Sequence, residues 1–464
     1  MKYLTNKGIL QACLVSISMV GFVSEMIASE KKMFEEVVES DLIVGRDTLL
    51  PSAWSYDECL ERAVATNTDI RQTLLSILQA DEDVASAKDA WLPSVDFSTN
   101  HGYTNYPVPG KGAKGNIYNS NYGVNASWTV WEGNARKYRL ESAKLVRQQQ
   151  QLAGEEIVKD LQLGILQAYL NILYSEEAIN IASKTLEVST SQTERMRKLV
   201  ESGRESKVDL AQIESQMAQD QYNLIRAESD LATNKMNLKK LLVLGLDYDL
   251  NVVHVDFPDS EVTAPLLPMG ETYLTATRWL PGLKSNTLSA EIYANDVKIA
   301  QANSAPNIAL QGGVGTGYTT GGRDWGYQMG HGLNENIGLS LSLPIYDGNK
   351  TKRAVAKARL ASMEADISRE QLLNDLSQTI ESLYIDAQNA QAKYKSGIVQ
   401  LEAMEETARL VDRQFELGLV NPLELLTAHN NLLNARLEQL QNKYMAILAS
   451  KTIGFYATQK VSLP

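Results

Sequence analysis

Histidines and cysteines are among the side chains that could bind a metal or attack a substrate. The four histidines lie far apart, without the spacing of a metal-binding pair: His101, His254, His331 and His429. Of the two cysteines, Cys13 lies in a predicted signal segment, so Cys59 stands alone and no intrachain disulfide is expected. Residues 312–317 are rich in glycine, but they lie inside a predicted strand and do not open a helix, so they do not form a phosphate loop. We therefore expect no enzyme, no cofactor and no metal site.

Two acidic side chains stand beside sharp turns in the same pattern. Each turn has a glycine, a polar residue and an acid at three-residue steps: Gly203, Ser206 and Asp209, then Gly418, Asn421 and Glu424. Glycine suits the left-handed position that closes a helix, and Ser or Asn suits the N-cap of the next helix. Pro422 fits the first position of the second returning helix, where its missing N–H costs nothing. We predict tight reversals between antiparallel helices, with the acids placed as in a capping box.

Both turns belong to an internal repeat with a nearly constant offset. Gly133 and Gly348 are 215 positions apart, as are Gly203 and Gly418. The residues around the first pair also match, since segment 130–137 corresponds to segment 345–352. A repeat of this length indicates a duplicated half-domain and not the short unit of a solenoid.

Four segments alternate apolar with small polar side chains and are predicted to be strands. Their approximate bounds are 94–106, 119–131, 307–319 and 335–346. Each has about the ten residues that a tilted strand needs to cross a bilayer, and tyrosines and tryptophans gather at opposite ends like aromatic girdles. The loops 107–119 and 319–334 are predicted to be exposed and mobile. Four strands cannot close a barrel alone, but several copies of the chain could close one together.

Long helical patterns occupy the remainder of each half. The intervals 110–257 and 345–421 contain no proline. In the second interval apolar residues recur from Leu376 to Phe415 in alternating steps of four and three, as in a coiled coil, and in the first interval they recur from Ile157 to Leu186 in steps of three, four and seven. We predict helical hairpins over 134–244 and 349–456, with tips at 203–206 and 418–422. Single helices are predicted over 56–91 and 271–302. The first repeat then covers 54–256, a connector covers 257–270, the second repeat covers 271–456, and a tail covers 457–464.

Composition and the N-terminus indicate an exported protein. With 44 basic and 56 acidic residues, the net charge is −12, which argues against a nucleic-acid binder. Residues 1–28 resemble a secretory signal peptide, followed by an N-terminal extension over 29–53. A membrane anchor is the alternative for this segment, although Gln11 and Glu25 weaken it, and Cys13 is a weak candidate for lipidation. No other transmembrane helix is predicted.

The order of these elements resembles the TolC-like outer-membrane factors, the exit ducts of efflux pumps and type I secretion systems. The resemblance runs from about Trp54 to Tyr456, and it is carried by segments 90–95, 199–203, 343–349 and 415–418. It implies a mostly α fold with a membrane β-barrel, in which a homotrimer forms a 12-stranded barrel in the outer membrane on a 12-helix α-barrel in the periplasm. The implied partners are outer-membrane lipid, a periplasmic adaptor and an inner-membrane pump of the RND or ABC type, which would drive passive transport through the duct. The connector and the tail would form an equatorial belt.

The same resemblance implies two roles for the helical tips. A periplasmic gate with an acidic ring would include Asp209 and Glu424. Val420 and Thr427 stand where relatives often carry an arginine and a second acid, so Arg204 is a candidate replacement cation. An adaptor would dock on the turns, at Gly203, Arg204, Ser206, Gly418 and Pro422. The alternative is that the two acids only cap helices.

Two other classes of function remain open from the sequence. One is a non-membrane periplasmic coiled-coil structural protein with soluble hairpins, but the absence of charge from the apolar strand faces favours the membrane. The other is a substrate-binding receptor, which would need a lined pocket that the loops do not suggest. Efflux and secretion fit the pattern equally well.

Overall fold

The computed structural model describes residues 51–108, 115–461 and 463 of the chain. The predicted signal peptide, Cys13 and residues 29–50 of the extension lie outside the described residues. Of the helices within the described ranges, none combines the length and the apolar character needed to cross a membrane.

The described residues form ten helices and four strands, arranged as two similar halves. The first half contains α1 (Tyr56–Thr66), α2 (Thr68–Asp89), β1 (Ser94–Asn105), β2 (Asn116–Glu132), α3 (Ala135–Glu201) and α4 (Lys207–Leu241). A short helix, α5 (Asp259–Val262), lies in the connector. The second half contains α6 (Met269–Trp279), α7 (Pro281–Ala302), β3 (Asn307–Thr319), α8 (Trp325–His331), β4 (Asn334–Ser342), α9 (Lys350–Glu416) and α10 (Pro422–Thr458). The duplication extends to helix length, because α3 and α9 each have 67 residues.

One continuous helix was predicted before the first strand of each repeat, over 56–91 and over 271–302. The structure shows two consecutive helices in each place. In the first half the break is at Asn67, whose backbone is extended and whose side chain accepts hydrogen bonds from the N–H groups of Asp69 and Ile70. In the second half the break is at Leu280, which precedes Pro281 and is held out of the helical region by the proline ring. Both breaks separate an 11-residue helix from a 22-residue helix, so they are part of the repeat.

Several other boundaries differ from the sequence-based expectation. Strand β4 ends at Ser342 and not near residue 346, because Pro344 offers no N–H to a neighbouring strand. Helix α10 continues to Thr458, two residues into the predicted tail, and ends at Gln459 with a left-handed backbone (φ 65°). The loop 319–334 is not wholly irregular, because it contains α8, whose N-cap is Asp324.

The strands form one antiparallel sheet in the order β1-β2-β3-β4. The two hairpins come from distant parts of the sequence and are joined along β2 and β3, where Val124 faces Val314. One face carries apolar side chains that remain open in the single chain, and Phe97 and Ile337 are 68% and 81% exposed. Within the part of the chain that the structure describes, strands β1 and β4 have no neighbouring strand on their outer sides.

Two hydrophobic cores are formed in the described residues, one around the middle of α3 and the other around the corresponding part of α9. Residues separated by 215 positions are identical here: Leu161 and Leu376, Ile165 and Ile380, Tyr169 and Tyr384. The hydroxyl of Tyr169 donates to the carbonyl of Val253 (2.6 Å), and that of Tyr384 donates to the carbonyl of Leu267 (2.6 Å). Each long helix is therefore tied by the same kind of tyrosine hydrogen bond to the irregular segment that links the two halves, at Val253 and at Leu267.

The long helices pair as two coiled-coil hairpins, α3 with α4 and α9 with α10. The predicted seam of α9 is buried or half-buried at every position from Leu376 to Phe415, which confirms the heptad pattern. Helix α10 packs against α3 and joins the two hairpins. Helices α4 and α9 consequently lie at the outer edges of the four-helix arrangement.

Candidate functional site at the helical tips

The first tip is a tight reversal whose backbone is held by two hydrogen bonds. Gly203 adopts a left-handed conformation (φ 71°). The N–H of Gly203 donates to the carbonyl of Val200 (3.0 Å), and that of Arg204 donates to the carbonyl of Leu199 (2.9 Å). This is the Schellman motif, which satisfies carbonyl groups at the end of α3. The predicted glycine cap is confirmed.

The second tip repeats that geometry. Gly418 has a φ of 72°. Its N–H donates to the carbonyl of Phe415 (3.0 Å), and the N–H of Leu419 donates to the carbonyl of Gln414 (2.9 Å). Pro422 opens α10 at its first turn, as predicted.

The two acids occupy equivalent positions but have different surroundings. The N-cap side chains of Ser206 and Asn421 accept hydrogen bonds from the backbone N–H groups of Asp209 (3.1 Å) and Glu424 (2.9 Å). The carboxylate of Asp209 also accepts from the hydroxyl of Ser206 (2.5 Å). The side chain of Glu424 is exposed and forms no side-chain hydrogen bond within the part of the chain that the structure describes. Among the described residues, neither carboxylate accepts from the backbone N–H of its N-cap residue, so the predicted capping box is only half formed at each tip. The Asp209 carboxylate is held by the Ser206 hydroxyl, whereas that of Glu424 is exposed to solvent.

Most of the residues suggested for docking are exposed. Gly203, Arg204, Ser206 and Gly418 lie on the surface of the tips. Pro422 is buried within the chain, so it supports the turn and does not itself lie on that surface. Exposed apolar side chains, Leu419 and Leu423, flank it instead.

The structure does not pair Arg204 with an acid. Among the described residues, Arg204 forms no salt bridge, and the cations that meet an acid near the tips are others. Arg195 of α3 reaches Glu416 of α9 (3.2 Å), and Arg413 reaches the same carboxylate (2.7 Å). The hydrogen bonds from Arg413 and Arg195 lower the pKa of Glu416, so it remains ionised. The sequence offered no signal for this contact, because Arg195 and Glu416 are 221 positions apart.

A second set of polar contacts joins all four long helices about two turns above the tips. The ring nitrogen Nε2 of His429 lies 2.8 Å from Oδ1 of Asp412 and 3.0 Å from Nε2 of Gln192. Beside this group, Gln216 and Asn430 exchange two amide hydrogen bonds (3.1 and 3.2 Å). Sequence reasoning treated His429 as an isolated residue, because its partners come from other helices.

One carboxylate in this set is buried. Asp220 of α4 is only 3% exposed, and it accepts a hydrogen bond from Nε2 of Gln216 (2.9 Å). Burial raises the pKa of Asp220, while hydrogen bonds from Gln216 and Ser189 and the nearby His429 act in the opposite direction.

Comparison with known proteins gives the family. A sequence profile described as outer membrane efflux protein matches residues 59–243 and 281–455, which is most of the chain. The outer membrane efflux protein BepC of Brucella suis is 21% identical over 398 residues, covering 84% of this chain and 82% of that protein. The outer membrane protein TolC of Escherichia coli is 22% identical over 418 residues, covering 85% and 80%.

A solved channel has the same fold. The crystal structure of CusC, described in terms of transmembrane channel formation, superimposes with a TM-score of 0.75 at 16% identity, covering 88% of this chain and 99% of that chain. The resemblance drawn from the sequence is confirmed, and a coiled-coil protein confined to the periplasm is no longer an alternative. Related proteins are outer-membrane efflux proteins, and another relative, AprF of Pseudomonas aeruginosa, is an alkaline protease secretion protein; the family is one of channels and not of enzymes. The chain belongs to the outer membrane efflux protein family, and its place is the outer membrane, from which it extends into the periplasm.

Proposed function

We propose that three copies of this chain form the exit duct of a tripartite efflux pump or a type I secretion system. The sheets would close a 12-stranded barrel in outer-membrane lipid, and the long helices would form a 12-helix tunnel through the periplasm. Transport through the duct is passive, and an RND or ABC pump in the inner membrane supplies the energy through a periplasmic adaptor.

The observation that carries this proposal is that both lateral edges of the described part of the folded chain lack a packing partner. Among the described residues of one copy, β1 and β4 each have an outer side without a neighbouring strand. In a membrane such an edge is unfavourable, because unpaired N–H and C=O groups find no water there. Pairing β4 of one copy with β1 of the next removes every open edge.

Within the described ranges, the two outer long helices, α4 and α9, also have faces without a packing partner. A second heptad pattern runs along the exposed face of α4, at the following positions: Val208, Ala211, Ser215, Ala218, Tyr222, Ile225, Ser229, Ala232 and Met236. These residues, which we call the outer seam of α4, are apolar or small, and Tyr222 and Ile225 are 61% and 56% exposed. A coiled-coil seam without a partner indicates a missing helix.

Helix α9 carries a similar exposed series on the other edge. Its members include Ile385, Ala392, Ser396, Val399, Ala403 and Leu410. Because α4 and α9 are the two outer helices, the outer seam of α4 in one copy can meet α9 of the next. The contact is head to tail, so repeated rotation closes a ring.

The tips supply the proposed gate and docking surface. Three copies of Glu424 and Asp209 would place acids around the periplasmic end, where clustered carboxylates attract cations. Arg204 remains a candidate cation in this gate. Gly203, Arg204, Ser206 and Gly418 are exposed for an adaptor, together with Leu419 and Leu423.

The test is to purify the full protein in detergent and measure its size and its conductance in a planar bilayer. We expect a trimer that resists SDS and forms small, long-lived, cation-selective pores. A water-soluble monomer that never inserts into the bilayer would contradict the proposal.

A further inference from the structure

Three glycines of β3 lie on the face of the sheet opposite its apolar side chains: Gly313, Gly315 and Gly317. Glycine weakens a strand, because it has no side chain to pack and loses much backbone freedom on folding. These three residues do not have the left-handed backbone that favours glycine. The reason for glycine at these positions therefore lies in the space above the strand.

Asparagine side chains of the neighbouring strands occupy that space. A Cβ at Gly313 would lie 2.7 Å from Oδ1 of Asn336 and 3.2 Å from Oδ1 of Asn125. A Cβ at Gly317 would lie 2.5 Å from Oδ1 of Asn121. In each case the asparagine is the direct cross-strand partner of the glycine, and it is exposed while the glycine is half-buried. There are five such contacts, which we call the Asn–Gly pairs: Gly102 with Asn119, Gly317 with Asn121, Gly313 with Asn125, Gly313 with Asn336, and Gly315 with Asn334.

The Asn–Gly pairs fall into four rows that cross the sheet on one face. The amide of Asn125 donates to Oγ of Ser98 (3.0 Å) and to Oδ2 of Asp96 (3.3 Å), which also holds this side chain along the sheet. In these rows Asp96 carries the one charge, and the other members have a short uncharged side chain or none. The rows are Asp96, Asn125, Gly313 and Asn336; Ser98, Gly123, Gly315 and Asn334; Asn100, Asn121 and Gly317; Gly102, Asn119 and Thr319.

In a trimer whose apolar sheet faces meet lipid, these rows line the lumen of the barrel. Side chains fill the interior of a barrel of about eight strands, whereas about 16 strands leave a water-filled channel. The proposed 12-stranded barrel lies between these sizes, so its inward side chains decide how wide the passage is. An asparagine that leans over a glycine supplies a polar group without extending toward the barrel axis.

Helix α8 does not narrow this passage where it touches the sheet. The hydroxyl of Thr316 donates to the carbonyl of Met329 in α8 (2.9 Å). Thr316 is the cross-strand partner of Tyr122, on the apolar face. The helix therefore packs on the side of the sheet that would meet lipid, and its exposed Trp325 suits a membrane interface.

We propose that the Asn–Gly pairs keep the outer-membrane section of the duct wide enough for a bulky hydrophilic cargo and set the largest cargo that can leave. The inference rests on the proposed function as a duct. Amide groups both donate and accept hydrogen bonds, so this wall can replace the water around a polar cargo. Substitutions on the lumen face of a barrel are also those that change its selectivity.

The experiment measures the largest thiol reagent that can pass the four rows from outside the cell. Ser340→Cys places a thiol on the same face, beyond the rows toward the periplasm. Cys59 is fully buried, and Cys13 lies in the predicted signal segment, so the introduced thiol should be the one that reacts. Maleimides that carry polyethylene glycol of graded size are added to intact cells. The size limit is the largest polymer that still labels the trimer.

Gly313→Leu and Gly102→Leu should each shift the size limit to smaller polymers. At these two glycines a Cβ would press on asparagine side chains and not on backbone, so the amides can turn away from the sheet into the lumen. The same narrowing would occur in all three copies. Asn119→Ala combined with Gly102→Leu should restore the limit, because the leucine then takes the place of the removed amide.

Gly312→Leu is the matched control. Gly312 is adjacent to Gly313 but lies on the apolar face, and a Cβ there would make only an ordinary contact of 3.7 Å, with the carbonyl of Asn336. The size limit should therefore stay at the wild-type value. In every variant, an SDS-resistant trimer and normal labelling by the smallest maleimide show that the barrel has formed.

The outcomes separate this inference from the proposed duct. An unchanged size limit in Gly313→Leu and Gly102→Leu, with a normal trimer, would overturn the role of the Asn–Gly pairs and leave the duct intact. If even the smallest maleimide cannot reach the introduced thiol in the otherwise wild-type trimer, this face does not line an open passage. The inference and the duct would then both be wrong.

Discussion

Asp209 and Glu424 occupy equivalent positions in the two repeats, but their carboxylates differ in hydrogen bonding. Asp209 shares its carboxylate with the hydroxyl of Ser206, whereas Asn421 has no hydroxyl and leaves the carboxylate of Glu424 unengaged. A carboxylate without a hydrogen-bond partner in its own chain is free to turn toward passing ions. We therefore expect Glu424 to dominate the electrostatics of the periplasmic end and Asp209 to serve more as a cap.

Removing the exposed acid should change ion selectivity more than removing the capped one. We expect Glu424→Ala to lower the cation-to-anion permeability ratio without preventing assembly, because three copies lose a charge near the narrow end. Asp209→Ala should change selectivity less, and it should weaken the start of α4 by about 0.3–1 kcal/mol through loss of the acid in the first turn.

Reversal potentials in a salt gradient measure this effect. Thr427→Asp is the converse variant, because it restores an acid one turn beyond Glu424 and should raise the permeability ratio. Equal selectivity in all of these variants would leave both acids as helix caps only.

Helices and turns could be predicted from the sequence where a pattern of nearby residues determines them. The seam of α9 and the reversals at Gly203 and Gly418 follow from heptad spacing and from glycine and N-cap chemistry, which act over a few residues. The helix break at Asn67 was missed, because one extended residue hardly disturbs an apolar pattern. The break at Leu280 was missed although Pro281 marks it in the sequence, because the apolar pattern continues on both sides of the proline. The Arg195 and His429 contacts were missed for another reason, since they depend on how the hairpins pack.

The tip turns should be sensitive to the loss of glycine for a purely conformational reason. A Cβ at Gly203 or Gly418 would meet no atom within 4 Å, so a substitution there creates no clash. The left-handed backbone alone should cost an alanine about 1–2 kcal/mol. We expect Gly203→Ala to speed hydrogen exchange over residues 195–215, because the tip opens more often.

Gly454 is a suitable control, because it lies inside α10 without a left-handed backbone and its Cβ would also meet no neighbour within 4 Å. Gly454→Ala should stabilise the helix by up to about 1 kcal/mol. If Gly203→Ala left the exchange of the tip unchanged, the left-handed turn would not limit the stability of the tip.

At the scale of the whole molecule, the described part of the single chain leaves apolar side chains uncovered both on the sheet and on the long helices. The open apolar face of the sheet suits lipid, whereas the outer seam of α4 lies in the helical region and needs another helix. The repeat explains why an unpaired strand and an uncovered helix occur together at each edge. Duplication joined two halves through β2–β3 and α3–α10, and it left β1 with α4 on one edge and β4 with α9 on the other.

Assembly should therefore depend on the character of the outer seam of α4. Ile225 lies in the middle of this seam, and Ala218 and Ala232 occupy the equivalent heptad positions on either side. Ile225→Asp should reduce the SDS-resistant trimer strongly, because each interface would bury a charge without a partner, at a cost of several kcal/mol. Ile225→Ala should keep the trimer, since the seam already accepts alanine at these positions. Retention of a normal trimer by Ile225→Asp would show that α4 does not form the contact between copies, because in a single chain the same carboxylate would remain in water and cost almost nothing.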